Sequence, residues 1–353
     1  MPKLLPCLLL ALLPTFACAQ EPQLAVVPLD GATRWDYLAV DPAAHRVYVA
    51  HGGEVDAYGT ETYRPAGLLE PTAGVHGIAI AAPEGRVFTS NGAAGEVGVF
   101  DLKTGALQTA IKAGRNPDAI VYEPHTHRVF AFNGRSQDLT VIDAAAAARL
   151  VEPIALGGKP EFAVTNGAGK VYVNIEDKAE LLVIDAQSLA IEKRYSLAPC
   201  QAPTGLAIDP KGRLFSVCAN ELMVVSDPAS GKLLGQAPIG KGVDGVAWLE
   251  GRAYSANGAD GTVTVVAEDE SGHWDRIATY KTGLGARTIV ADAATRQLFM
   301  PAADYRQVAD APAPASAASA LASAARREVI GGSFHLLVLK LPPTAAAASA
   351  AKP

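Results

Sequence analysis

The chain has 353 residues, 49% of them hydrophobic and only 19% charged, with 33 glycines, 24 prolines and a formal net charge of −6. It is too apolar to stay disordered and too rich in helix breakers for a bundle of long helices. The acidic balance also argues against nucleic acid as a partner, because neutralising phosphates needs a surplus of Lys and Arg; a local basic patch is the exception left open.

In chain order, the first element is a leader. Lys3 precedes a leucine-rich run over 4–16, and Ala17-Cys18-Ala19 has the small-x-small form of a signal-peptidase site, so 1–19 reads as a cleaved secretory signal. The run is shorter than the roughly 20 residues that cross a bilayer. Pro6 and Pro14 interrupt it, and no other segment is as apolar, so no membrane span is expected. A lipoprotein anchored through Cys18 is the alternative, although Thr15-Phe16-Ala17 is a poor approach to such a cysteine. Removal of the leader leaves Cys200 and Cys218, and two cysteines in an oxidising compartment pair.

A repeat follows. Its phrase is a polar residue, a short apolar strand, a turn closing on Arg or Lys, a Val-Tyr-Val-like strand, a glycine-containing break and a third strand ending near Asp. In the first copy these are Asp36, 37–40, the turn 41–46, Val47-Tyr48-Val49, Gly52-Gly53 and 55–58. Copies start at Asp36, His76, Asp118, Glu161, Thr204, Asp244 and Arg287, at steps of 40 to 43 residues. A fourth strand closes each of the first six, at 66–69, 107–111, 150–156, 191–197, 233–239 and 274–280.

Four short strands in about 40 residues make one propeller blade, so the spacing predicts an all-β, seven-bladed β-propeller of four-stranded antiparallel blades over 20–340. The seventh copy lacks a fourth strand. The segment 24–29 resembles the others' fourth strands and would complete that blade, closing the ring and removing an exposed seam. An Ala, Ser and Pro tract at 309–327 interrupts the last blade as a loop, and 341–353 reads as a disordered tail.

Val47-Tyr48-Val49, Lys170-Val171-Tyr172-Val173-Asn174, Asp101-Leu102-Lys103-Thr104-Gly105 and Gly205-Leu206-Ala207-Ile208-Asp209-Pro210 resemble the YVTN-repeat, or YncE-like, propellers, a group of exported bacterial proteins. The resemblance covers 24–340. It implies a seven-bladed propeller in the periplasm and says little about chemistry: propellers of this outline include nucleic-acid binders, lactonases, lyases and redox subunits.

Propeller geometry sorts the loops onto two faces. The turns within 41–45, 101–105, 123–127, 209–212 and 227–231 share one end, and backbone geometry alone explains their Asp, Pro, Gly and Ser. The opposite end collects the start of each first strand. Because first strands line the channel, Asp36, His76, Asp118, Glu161, Thr204, Asp244 and Arg287 should ring its mouth, and crowded carboxylates there are a burden that a purely structural ring would avoid. The second-strand exits add His51, Asn91, Asn133, Arg135, Asn174, Glu176, Asn220 and Asn257. Arg34, Arg115, Lys159, Lys178 and Lys241 lie further out. Acid inside and base outside would suit a small polar or zwitterionic ligand.

The ligand-binding set is therefore Asp36, His76, Asp118, Asn133, Arg135, Glu161, Asn174, Thr204, Asp244, Asn257 and Arg287. Within it, His76, Asp118, Glu161 and Asp244 form an oxygen-rich set for a divalent cation such as Mg²⁺ or Ca²⁺. No haem-attachment, nucleophile-elbow, dinucleotide or phosphate-loop motif occurs, so haem, NAD and nucleotide are not expected. The leading expectation is a monomeric scaffold, without catalysis, that captures a small polar molecule or a protein partner at the mouth. A metal-assisted lyase or lactonase comes second. Third is single-stranded nucleic-acid binding aided by Phe132, Phe162 or Tyr305. Cys218, at the end of a second strand, and Cys200, just ahead of the same blade's first strand, should meet as a disulfide on this face.

Overall fold

The structure, a computed structural model, describes residues 21–31, 34–308 and 326–342. The leader at 1–19, residues 309–325 and residues 343–353 lie outside the described part. Seven antiparallel sheets form seven blades of a closed propeller. Blades one to six occupy 35–69, 75–112, 117–155, 160–196, 203–238 and 243–281. Blade seven combines Val290–Asp292, Gln297–Ala302 and His335–Lys340 with Gln23–Pro28, which pairs Val26 with Leu337 and closes the ring.

The burial of each strand follows from its place in the blade. Second and third strands such as Arg128–Asn133 and Asp138–Asp143 are packed on both faces, so they read as continuous apolar runs rather than alternating ones. Fourth strands such as Leu107–Lys112 lie at the rim and are mostly exposed. The core is a series of seams, each shared by two neighbouring blades. Phe130, Phe132, Leu139 and Val141 of blade three pack on Val171, Val173, Leu182 and Ile184 of blade four. Val47 and Val49 of blade one pack on Phe299, Leu336 and Val338 of blade seven, so the closing seam is as apolar as the rest.

The polar residues of the repeat hold these layers in register. Arg128, at the start of its second strand, reaches into blade four and donates to the carbonyls of Ala186 (2.5 Å) and Gln187 (2.7 Å), and Arg86 makes the same reach to Ala144 and Ala145. The Asp that ends a third strand caps the following turn: Asp185 accepts from Ser188 N–H at 2.7 Å, and Asp143 from Ala146 N–H at 2.7 Å. These acids are spent on the backbone, as the far-face turns required.

Two boundaries differ from expectation. The fourth strand expected at 150–156 divides into Ala148–Arg149 and Ile154–Ala155, since Pro153 has no N–H to give the ladder. The loop expected at 309–327 ends earlier, because Arg326–Val329 pairs with Tyr305–Val308 as an added hairpin. Among the described residues no helix is long and apolar enough to cross a membrane.

Candidate functional site: the mouth of the channel

One local device sets the mouth. In each of the first six blades, the pairing of first and second strands slips just after the strand begins, as between Trp35 and Leu38, Pro117 and Ile120, or Pro160 and Ala163. A bulge there turns one side chain out of the ladder. The residue before it is buried (Trp35, Val75, Pro117, Pro160, Pro203 or Val243), which anchors the strand. The half-buried residue that follows is Asp36, His76, Asp118, Glu161, Thr204 or Asp244. Strands this close leave little room: a Cβ at Gly205 would lie 2.8 Å from the Asp244 carbonyl oxygen.

Large side chains stand at two of the positions one step deeper. Tyr37 of blade one and Phe162 of blade four meet edge to face with ring centroids 4.8 Å apart. Blades one and four are on opposite sides of a seven-membered ring, so the contact floors the channel and turns the mouth into a cup. Sequence reasoning missed Tyr37, which followed a ring residue and read as ordinary strand. Its one signal was being far larger than Gly77, Gly205 and Gly245 at the same repeat position.

The ring residues form three groups. His76 Nδ1 lies 2.6 Å from Asp36 Oδ2 and 3.8 Å from Asp118 Oδ1, so these three side chains converge. Arg287 donates from Nε to Asp244 Oδ2 at 3.0 Å and from Nη2 to the Trp35 carbonyl at 2.9 Å. Lys159 lies 2.9 Å from Glu161 and also pairs with Glu176. Thr204 spends its hydroxyl on the carbonyls of Val243 and Val217. The expected cation set of His76, Asp118, Glu161 and Asp244 is therefore rearranged: Asp36 joins His76 and Asp118, while a basic side chain holds each of the other two carboxylates.

The charges strain against one another. Burial, together with Asp36 and Asp244, pushes the Asp118 carboxyl up to about 7 although His76 opposes the shift. Burial pushes Asp244 up to about 6 despite Arg287. Glu161 is raised by burial and by Asp118, against the pull of Lys159. For His76, burial lowers the pKa, but the Asp36 hydrogen bond and the Asp118 charge prevail and raise it. Burial and the surrounding carboxylates of Asp244, Asp118, Asp36 and Glu161 hold the Tyr37 phenol well above its usual range.

Of the asparagines at the second-strand exits, Asn220 is exposed and caps the Gln201 N–H at 3.0 Å, and the others are buried away from the cup. Asn133, Asn174 and Asn257 are fully buried. Asn174 donates to the carbonyls of Thr204 (2.9 Å) and Gly205 (3.2 Å) and accepts from Ser216. Asn257 donates to Thr262 and Thr264, and Asn133 to Asp138 and Thr140. Each amide serves its blades because an exit residue of a doubly packed strand points inward. His51 is likewise buried, 2.5 Å from Asp56 and against Phe334. Phe132 is in the core and offers no stacking surface. Arg135 is exposed, but in a separate cleft. Cys200 and Cys218 are joined, with Cα atoms 5.5 Å apart, and tie the approach of blade five to its second strand.

These features define a seven-bladed β-propeller of WD40-like architecture with a floored, acid-rich mouth. No family model matches the chain, and no curated protein does. Among solved structures, the chain is similar to the RRP9 WD40 repeats, with a TM-score of 0.74 and 10% identity over 92% of this chain and 100% of that one. It is similar to U3-55K, with a TM-score of 0.72 and 10% identity over 90% of this chain and 98% of that one. The virginiamycin B lyase of Staphylococcus aureus gives 0.69 and 13%, over 91% of this chain and 100% of that one. At such identities the likeness is one of fold.

Proposed function

We propose that this protein is an exported, YVTN-like binding propeller whose channel mouth captures a positively charged group of a ligand or partner. The observation that carries the reading is the charge balance of the cup: Asp36, Asp118, Glu161, Glu176 and Asp244 face three permanent cations, Arg34, Lys159 and Arg287, and one histidine. The uncompensated acid is held where burial and mutual repulsion keep Asp118, Glu161 and Asp244 partly protonated near neutrality. A cation seated among them would relieve that repulsion, and a fold has no structural need to carry it. The Tyr37–Phe162 floor makes the cup shallow, which favours a terminal ammonium or an ion over a threaded chain. A leader-like 1–19 and the Cys200–Cys218 bond support the periplasm as its location.

The test is thermal stabilisation by a panel of divalent cations and small diamines, in the parent and in Asp118→Asn and Glu161→Gln. Stabilisation confined to the parent supports the reading. Equal stabilisation in all three, or none in any, removes the mouth as the site.

The Asp36, His76 and Asp118 cluster favours a second reading. Its donor atoms lie within 4.8 Å of one another, a spacing that one divalent ion could bridge. A metal there could polarise a carbonyl, as a lyase or lactonase requires, with Glu161, which is not one of the three donors, moving a proton. Elemental analysis of protein dialysed against Mg²⁺, Ca²⁺, Mn²⁺ and Zn²⁺ tests this reading: a chain that keeps no ion excludes it, while the first reading survives if diamines still stabilise the protein.

A further inference from the structure

On the same face as the mouth, a second concavity of about 490 Å³ opens between blades two and three. Its walls are the small-residue turn 92–95, the approach 112–116 and the exit at Arg135 and Ser136. Lys112, Arg115 and Arg135 converge on it, all three exposed. Among the described residues none of them lies within ion-pair distance of a carboxylate. Three acids lie close by without forming an ion pair to these cations: Asp118 accepts from Asn116 at 3.5 Å, and the other two are Asp138 and Glu96. Asp138 accepts from Asn133 at 2.6 Å and from Ser136 at 3.0 Å, and Glu96 stands across the ladder from Lys112.

The repeat supplies an internal control. In blades three to six, one backbone N–H of the approach is capped by a side chain from the following turn. Blade four uses Asp177 on Lys159 N–H (2.7 Å), blade five Asn220 on Gln201 (3.0 Å) and blade six Asp260 on Lys241 (2.8 Å). Where the approach residue is a lysine, the cap is a carboxylate. In blade three the approach residue is Arg115 and the cap is the neutral hydroxyl of Ser136, at 2.9 Å. These caps act on the backbone and not on the lysine ammonium, which in blade four pairs with Glu161 and Glu176 instead; in blade three the cap carries no charge, and Arg115 stands beside two further cations. Arg115 uses a single N–H, weakly, on the Arg135 carbonyl at 3.4 Å, leaving most of its fork free.

We propose that this cleft binds the dianionic phosphate group of a small phosphomonoester, held by the guanidinium forks of Arg115 and Arg135, with Lys112 adding attraction. Two forks match the geometry of phosphate oxygens, three like charges around a concavity focus the field on an anion, and glycine and alanine walls leave room for it. No aromatic side chain lines the cleft, so a strand of stacked bases has nothing to lie on. The cleft adjoins the mouth, since Asn116 of its wall donates to Asp118, but the cations that would hold the phosphate are not members of the mouth's ring.

The experiment is calorimetric titration with phenyl phosphate at low ionic strength, above pH 7 where the group is a dianion. Saturable one-site binding is expected, with inorganic phosphate competing and the monoanion benzoate at least about tenfold weaker. Arg115→Gln and Arg135→Gln should each weaken binding by about tenfold, the worth of one charge-assisted contact, and Lys103→Gln on the opposite face should leave it unchanged. Undiminished binding in the double variant Arg115→Gln/Arg135→Gln would overturn the proposal, as would an equal loss in Lys103→Gln. Binding of a thymidine oligonucleotide about a hundredfold tighter than phenyl phosphate would overturn it in favour of a nucleic-acid strand.

Discussion

Asn in place of Asp118 keeps the shape of the side chain and removes its charge, which makes Asp118→Asn a test of whether the mouth is held under electrostatic strain. The carboxyl is moved from an ordinary 3.8 to about 7 in the folded protein. At 1.36 kcal/mol per pH unit, that corresponds to roughly 4 kcal/mol between its protonated and ionised forms. The sign follows from linkage: the folded state binds this proton more tightly than the unfolded one. The resulting stability is fully present below pH 3.8 and is lost progressively as pH rises to about 7. The variant has no such loss. Its advantage over the parent should be nil near the bottom of that window, grow through it and level off above it. The attraction to His76, 3.8 Å away, is already contained in that shift, so roughly 4 kcal/mol is the upper bound on the plateau. Urea unfolding followed by tryptophan fluorescence across the pH range measures this directly. A variant less stable than the parent above pH 7, or a difference that does not change with pH, would refute the strain argument.

Other substitutions separate structure from site. Asn174→Ala strips the amide bonds to the Thr204 and Gly205 carbonyls and should lower stability by about 2 kcal/mol in the same unfolding assay, while leaving cation binding in the folded fraction intact. Arg128→Ala frees the Ala186 and Gln187 carbonyls at a blade junction and should cost about 1 kcal/mol, seen as a lower melting temperature. Cys218→Ser opens a bond between residues 18 apart and should cost about 3 kcal/mol by the chain-entropy estimate. Titration of the denatured mature chain should find no free thiol before reduction.

The blade count and the closing strand were readable because the repeat carries them in its spacing: a start every 40 to 43 residues, and 24–29 matching a missing fourth strand. The ring at the mouth was readable for the same reason. Direction was harder. Asn133, Asn174 and Asn257 sit in runs such as Tyr172-Val173-Asn174, and nothing in the sequence says that the third member of the run points into the protein, where Asn133 and Asn257 bond within their own blades and Asn174 reaches the next. Partner choice was also hidden. The pairing of Lys159 with Glu161 and Glu176, and of Arg287 with Asp244, depends on which side chains span the gap between blades, and Asp36 reaches His76 only because bulges present both at one depth. Lys112, Arg115 and Arg135 are scattered over 24 positions of sequence, so only the folded chain places them around one cleft.

Proton-linked calorimetry decides whether the mouth takes up a cation. Burial pushes the Asp118 carboxyl up to about 7, so near neutrality a cation entering the cup displaces its proton. Titration of metal-free protein with Ca²⁺, Mg²⁺ and a small diamine, in buffers of different ionisation enthalpy, should give one-site binding with net proton release, both abolished in Asp118→Asn/Glu161→Gln. Binding without proton release, binding undiminished in that double variant, or no binding of any of these cations would contradict uptake at the mouth.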